Sequence, residues 1–139
     1  YFFIFLTHDK QNILIDNLKM KQYKTAICAI LKNEHQYLDE WIRHHLDIGF
    51  DEIYLYEDFG SKSHTIITDK YSNVHLMQLS EIFDKIKNLN NDKQCALYSY
   101  FYKTYKNIID YTAFIDIDEF IMLEEGYNLQ MLLNYIKKL

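Results

Sequence analysis

The stretch "YTAFIDIDEF", residues 111 to 120, places Asp116, Asp118 and Glu119 within four positions, after a mostly apolar run and before the apolar residues Phe120 to Leu123. If the run is extended, Asp116 and Asp118 project together while Ile117 faces the opposite side, because side chains two apart share a strand face. Carboxylates brought together repel and raise one another's pKa unless a cation sits between them, and Mg²⁺ or Mn²⁺ with oxygen ligands is the usual remedy. Two carboxylates leave most of an octahedral shell open. Such ions fill the rest with water and substrate phosphates, so a metal-bridged diphosphate is the natural ligand. A bare Asp-x-Asp is commonly a solvated acidic loop; the apolar flanks set this one apart.

The elements that must position these carboxylates alternate. "KTAICAI", residues 24 to 30, has the length of a strand, and Asn33 offers a helix cap with Gln36 three residues on. Leu38, Trp41, Ile42, His45 and Leu46 repeat at helical spacing, and Gly49 supplies a left-handed stop. "EIYLY", residues 52 to 56, is a second strand and completes a parallel strand-helix-strand unit. The pattern then predicts a short helix near residues 62 to 70, a strand at 74 to 79, and a helical stretch after the cap candidate Ser80. Next comes a helix from about Asp92 to Lys106, with Cys95, Tyr98, Phe101, Tyr102 and Tyr105 on one core-facing side, and then "YTAFI", a strand buried on both faces. The fold class is α/β, an open, mostly parallel sheet with flanking helices. Ligands of such sheets sit beyond the carboxyl ends of the strands, where the acidic cluster lies.

Bulk properties exclude several classes. The 139 residues fit one domain with a real core. A net charge of −5 argues against nucleic-acid binding, which needs a basic surface. The six apolar residues "YFFIFL" fall far short of the roughly 20 that span a bilayer, so residues 1 to 23 read as an N-terminal extension or packing segment. Cys28 and Cys95 form no metal or disulfide framework; both are expected in packed interior, in a reducing compartment. His44 and His45 point about 100° apart on a helix and do not make a zinc pair; surface and core is their expected placement.

Three segments in this order, "ICAILKNEHQYLDEWIRHHLDIGFDEIYLYED", "KQCALYSYFYKTY" and "FIDIDEFI", resemble glycosyltransferases of the GT-A (Rossmann-like) fold, in particular the family-two-like and family-ninety-two-like group. The resemblance covers about residues 24 to 125. It implies a nucleotide-sugar-binding half in which Leu31, Lys32, Asn33 and Glu34 line the base and ribose pocket. Glu57 and Asp58 occupy the place of an acidic nucleoside contact, with Asp58 preferred, although "EDFGSKS" lacks the downstream acid of the pattern. Gln94 matches a donor-pocket contact, and Lys93 beside it meets phosphate or solvent. Asp118 would ligate the metal, Mn²⁺ or Mg²⁺, while Asp116 would hold the ribose or reach the metal through water. Glu119 is either an outer-shell ligand or a cap.

The implied reaction moves a sugar from a nucleotide-diphosphate donor, UDP-sugar by default, to a hydroxyl of a glycan, lipid-linked or protein acceptor. Only 21 residues follow Asp118, so the general base and acceptor site are expected beyond the chain end, and the 139 residues read as one truncated donor-binding domain. Absence of a spanning segment favours a cytoplasmic, membrane-associated setting. The rivals are a noncatalytic interaction module that keeps the fold and a haloacid-dehalogenase-like phosphatase, whose motif has Thr or Val where Phe120 stands. An EF-hand starting at Asp116 fails because Ile121 and Tyr127 replace its Gly and Glu.

Overall fold

The near-continuous apolar run Thr25–Leu31 forms β2, buried along almost its whole length, as expected of a strand covered on both faces. The computed structural model describes residues 20–139 and, in backbone, the strand β1, Phe2–Ile4; the remainder of the predicted 1 to 23 segment lies outside the described residues. In chain order the other elements are α1 (Leu38–Asp47), β3 (Glu52–Glu57), α2 (Thr65–Thr68), β4 (Val74–Gln78), α3 (Leu79–Ile86), α4 (Lys93–Tyr105), β5 (Tyr111–Phe114), β6 (Ile121–Leu123) and α5 (Leu129–Lys138).

Four strands make a fully parallel sheet in the order β4-β3-β2-β5, and β1 pairs in parallel with β6. Alternation along β2 sends Ile27, Ala29 and Leu31 to one face, against Leu38, Trp41 and Ile42 of α1 and Leu129, Leu132 and Leu133 of α5. Ala26 and Cys28 face the other side with Leu79 and Ile86 of α3 and Ala96, Leu97 and Phe101 of α4. The result is a sheet between two helical layers, an α/β architecture compatible with a Rossmann-like fold. Among the described residues, no helix is long and apolar enough to cross a membrane.

Several expectations need correction. Asn33 does not cap α1: the helix starts at Leu38 with Tyr37 at its N-cap and no side-chain cap bond. Asn33 instead takes φ 57°, a left-handed conformation that asparagine tolerates better than most residues. Ser80 is not a cap either, because β4 runs into α3 with Gln78 at the N-cap. The helix expected at 62 to 70 contracts to Thr65–Thr68. On α4, Phe101 is buried but Cys95 and Tyr102 are exposed, since the helix turns Ala96 and Leu97 inward instead. Finally, β5 is only half-buried and, among the described residues, lies at the edge of the sheet with β2 as its one partner. By contrast, Gly49 has the left-handed φ of 115° that a helix stop requires, and Asp92 caps α4 by accepting from the Cys95 N–H.

Candidate functional site

Parallel strands place their carboxyl ends along one edge, so the segments after β2, β3 and β5 converge there. Leu31, Lys32, Asn33 and Glu34 follow β2; Glu57 and Asp58 end β3; Asp116 and Asp118 follow β5. The Asp58 N–H donates to the Leu31 carbonyl at 2.9 Å, extending the pairing of β2 and β3 to the brink of the loops.

The first two loops are stitched together. Lys62 N–H donates to Asn33 Oδ1 at 2.9 Å, and Asn33 N–H donates to Ser61 Oγ at 3.1 Å. Beneath them lies a buried polar network keyed on His64, which is fully buried, and Glu57, which is 2% exposed. Glu34 N–H donates to His64 Nε2 at 2.9 Å, which makes that nitrogen an acceptor and puts the ring proton on Nδ1. Nδ1–H then donates to Glu57 Oε1 at 2.7 Å. The same oxygen accepts from His64 N–H at 2.5 Å, and Gln78 Nε2 donates to Glu57 Oε2. Burial pushes the Glu57 carboxyl up, but hydrogen bonds from Gln78 and His64 outweigh it and hold the group below the usual carboxylate range. His35 stacks on the His64 ring at 3.9 Å between centroids.

Of the acidic pair ending β3, Glu57 therefore points inward and Asp58 outward. Lys93 Nζ, at the start of α4, lies 2.5 and 2.7 Å from the two Asp58 oxygens and 5.8 Å from the centroid of Phe59. Burial raises the Asp58 carboxyl, and the Lys93 contact more than reverses this, leaving it lowered overall.

The acidic turn is built differently. Extended pairing ends at Phe114, so Asp116 and Asp118 do not sit two apart in a strand as the spacing predicts. Residues 116 to 119 form a turn, closed by Glu119 N–H donating to the Asp116 carbonyl at 3.1 Å. Asp116 N–H donates back to Glu119 Oε2 at 3.0 Å, so Glu119 has the cap contact of its two readings. Gln94 Nε2 donates to Asp116 Oδ1 at 2.9 Å and to Tyr98 Oη at 2.7 Å, joining α4 to the turn. Asp118 is exposed, and no hydrogen bond or ion pair to its carboxylate is found among the described residues.

Sequence reasoning missed what holds this turn in place. Trp41 Nε1–H donates to the Glu119 carbonyl at 2.8 Å and His44 Nε2–H to the Ile121 carbonyl at 2.8 Å, while Ile121 N–H donates to His45 Nε2 at 3.2 Å. One helix thus grips the main chain just after the acidic pair. Burial lowers His45 from its ordinary 6.5 to about 4, keeping the ring neutral and Nε2 an acceptor. The available signal was His45 on the apolar stripe of α1, with His44 beside it.

No group of three or more His, Cys, Asp or Glu side chains that could hold a metal ion is gathered among the described residues. Asp116 and Asp118 are nonetheless hard oxygen donors at an exposed turn, one of them oriented by Gln94. That donor set fits Mg²⁺ or Mn²⁺ sharing its shell with water and phosphate, not an all-protein cage.

Fold and site together describe an α/β chain with polar groups converging at the carboxyl edge of a parallel sheet. The chain is similar to a glycosyltransferase family 92 protein of Ricinus communis, with 24% identity over 111 residues, covering 79% of this chain and 19% of that protein. It therefore spans about a fifth of the length of that relative. No family model matches the chain, and no solved structure matches it significantly.

Proposed function

We propose that the chain is the donor-binding part of a glycosyltransferase of GT-A type, acting on a nucleotide-diphosphate sugar, with UDP-sugar the first candidate. One observation carries the reading: Asn33 and Glu34, Asp58, and Asp116 with Asp118 emerge at the same end of the adjacent strands β2, β3 and β5. A nucleotide-diphosphate sugar spans nucleoside, diphosphate and sugar, so several loops at one sheet edge are needed to hold it. The distant similarity to a family 92 glycosyltransferase favours sugar transfer over other nucleotide chemistry.

In this reading Lys32, Asn33 and Asp58 line the nucleoside side, and Glu57 shapes the loops from beneath without touching ligand. Gln94 orients Asp116 toward ribose or metal-bound water, and Asp118 faces the diphosphate. Lys93, paired with Asp58 in the free chain, stands where phosphate would compete for it. A divalent ion bound at Asp116 and Asp118 would neutralise charge on the departing diphosphate. During transfer the bond from the anomeric carbon to the diphosphate oxygen breaks with its electron pair leaving on oxygen, a new bond forms to the acceptor oxygen, and the acceptor proton passes to a base. We further propose a cytoplasmic, membrane-associated setting for the chain.

The test is calorimetric titration of UDP into the 139-residue chain with Mn²⁺, repeated with chelator, after circular dichroism has shown a cooperative melt. Binding that disappears with chelator is expected. A folded chain that ignores UDP and GDP in both conditions refutes the proposal and leaves a noncatalytic scaffold.

A further inference from the structure

An open groove of about 740 Å³ runs between α1 and the segment 117 to 122, and Asp118 is part of its wall. Tyr37, Glu40, Arg43, His44 and Asp47 supply the α1 side, with Ile117 and Met122 among the apolar residues opposite. From Tyr37 to Asp47 the groove follows the helix for about 15 Å at the helical rise per residue, and its volume lies within the range of small-molecule sites.

The polar groups in this wall are mostly uncommitted. Among the described residues, the carboxylates of Glu40, Asp47 and Asp118 have no hydrogen bond or ion pair, and Tyr37 is 51% exposed. Arg43 shares its charge with Asp39 at 3.3 Å, and His44 Nε2–H is held by the Ile121 carbonyl, which leaves Nδ1 as the polar atom of the ring that this bond does not use. The groove is therefore net negative and rich in acceptors, with one open aromatic face.

We propose that this groove binds a neutral carbohydrate, the acceptor of the transfer, beginning at Asp118 and running along α1. The inference rests on the donor reading above, and it places one wall of the acceptor site inside this chain, where the sequence leads one to expect it beyond residue 139. Sugar hydroxyls are donors that free carboxylates accept well, and charge-assisted hydrogen bonds of this kind are the strong ones. The C–H face of a pyranose packs on an exposed ring such as Tyr37. With Asp118 committed to the metal, an acceptor bearing carboxylate or sulfate still meets Glu40 and Asp47 with one shared guanidinium against them, so acidic sugars are disfavoured. The apolar floor, Ile117 and Met122, fits a sugar ring better than a run of ammonium groups, which separates this occupant from a basic peptide.

The experiment is ligand-observed saturation-transfer NMR on the 139-residue chain with UDP and diamagnetic Mg²⁺. The probes are the methyl glycosides of galactose, glucose, mannose, fucose and N-acetylglucosamine, with methyl glucuronide and a tetralysine peptide as the charged alternatives. At least one neutral glycoside is expected to bind. Tyr37→Ala and Glu40→Gln, both at exposed positions, should each weaken it by about fivefold while UDP affinity stays within about twofold. The inference is overturned, with the donor reading intact, if UDP binds but no neutral glycoside does. It is equally overturned if the glycoside signal survives both substitutions, or if glucuronide or tetralysine binds in preference. A chain that binds no nucleotide refutes the donor reading itself, and this inference with it.

Discussion

The loops after β2 and β3 and the turn after β5 reach the same edge of the sheet, yet they are held by opposite means. In the first region, side chains bind one another: Glu57, His64 and Gln78 form a buried network that also holds the Glu34 amide. In the second, Trp41, His44 and His45 grip only main-chain groups of Glu119 and Ile121, and Asp118 is left facing outward. The contrast teaches that a fixed wall and a free ligand-binding end are separate structural problems. A buried polar network preorganises the wall, because its members have no cheaper arrangement once desolvated. Holding the turn by its backbone leaves the Asp118 carboxylate available, while Gln94 orients that of Asp116.

The largest effect expected from breaking this contrast is on stability, in the first region. His64→Ala leaves Glu57 buried without its imidazole donor and orphans the Glu34 N–H, and should cost about 3–5 kcal/mol in urea unfolding. A loss below about 1 kcal/mol would show that the network is not a keystone. Next is a pH effect in the second region. His45 is lowered when folded, so the unfolded chain binds the extra proton between pH 6.5 and about 4. Stability is therefore full above pH 6.5 and falls as pH drops toward 4, by up to about 3 kcal/mol, visible as a declining denaturation midpoint that His45→Gln flattens. The lowered Glu57 and Asp58 carboxyls act in the same direction but further down, their contribution being lost as pH falls through their folded values. Trp41→Phe removes the donor to the Glu119 carbonyl and half of a fully buried indole, and should cost about 2 kcal/mol by denaturation while weakening metal-dependent nucleotide binding.

The sheet was legible because its strands are short apolar runs separated by helical periodicity, and because Gly49 and Asp92 carry local signals that need no tertiary partner. Asn33 and His64 were not legible in this way. Asn33 bonds Lys62, 29 residues on, and His64 bonds Glu34, 30 residues back, so their roles exist only once β2 and β3 lie side by side. The inner face of α4 was misassigned because tyrosines lie on several sides of it, and periodicity cannot choose among them. The acidic pair was legible as chemistry but not as geometry: Gly- and Pro-free, the run gives no warning that pairing stops at Phe114 and a turn begins.

The smallest expected change in stability carries the central claim. Asp118 is exposed and bonds to nothing among the described residues, so Asp118→Ala should shift the unfolding free energy by less than about 0.5 kcal/mol. The decisive measurement is calorimetric titration of UDP with Mn²⁺ into this variant beside the unsubstituted chain. The account predicts an unchanged melt and no metal-dependent binding in the variant. Undiminished binding with Asp118 removed would contradict it.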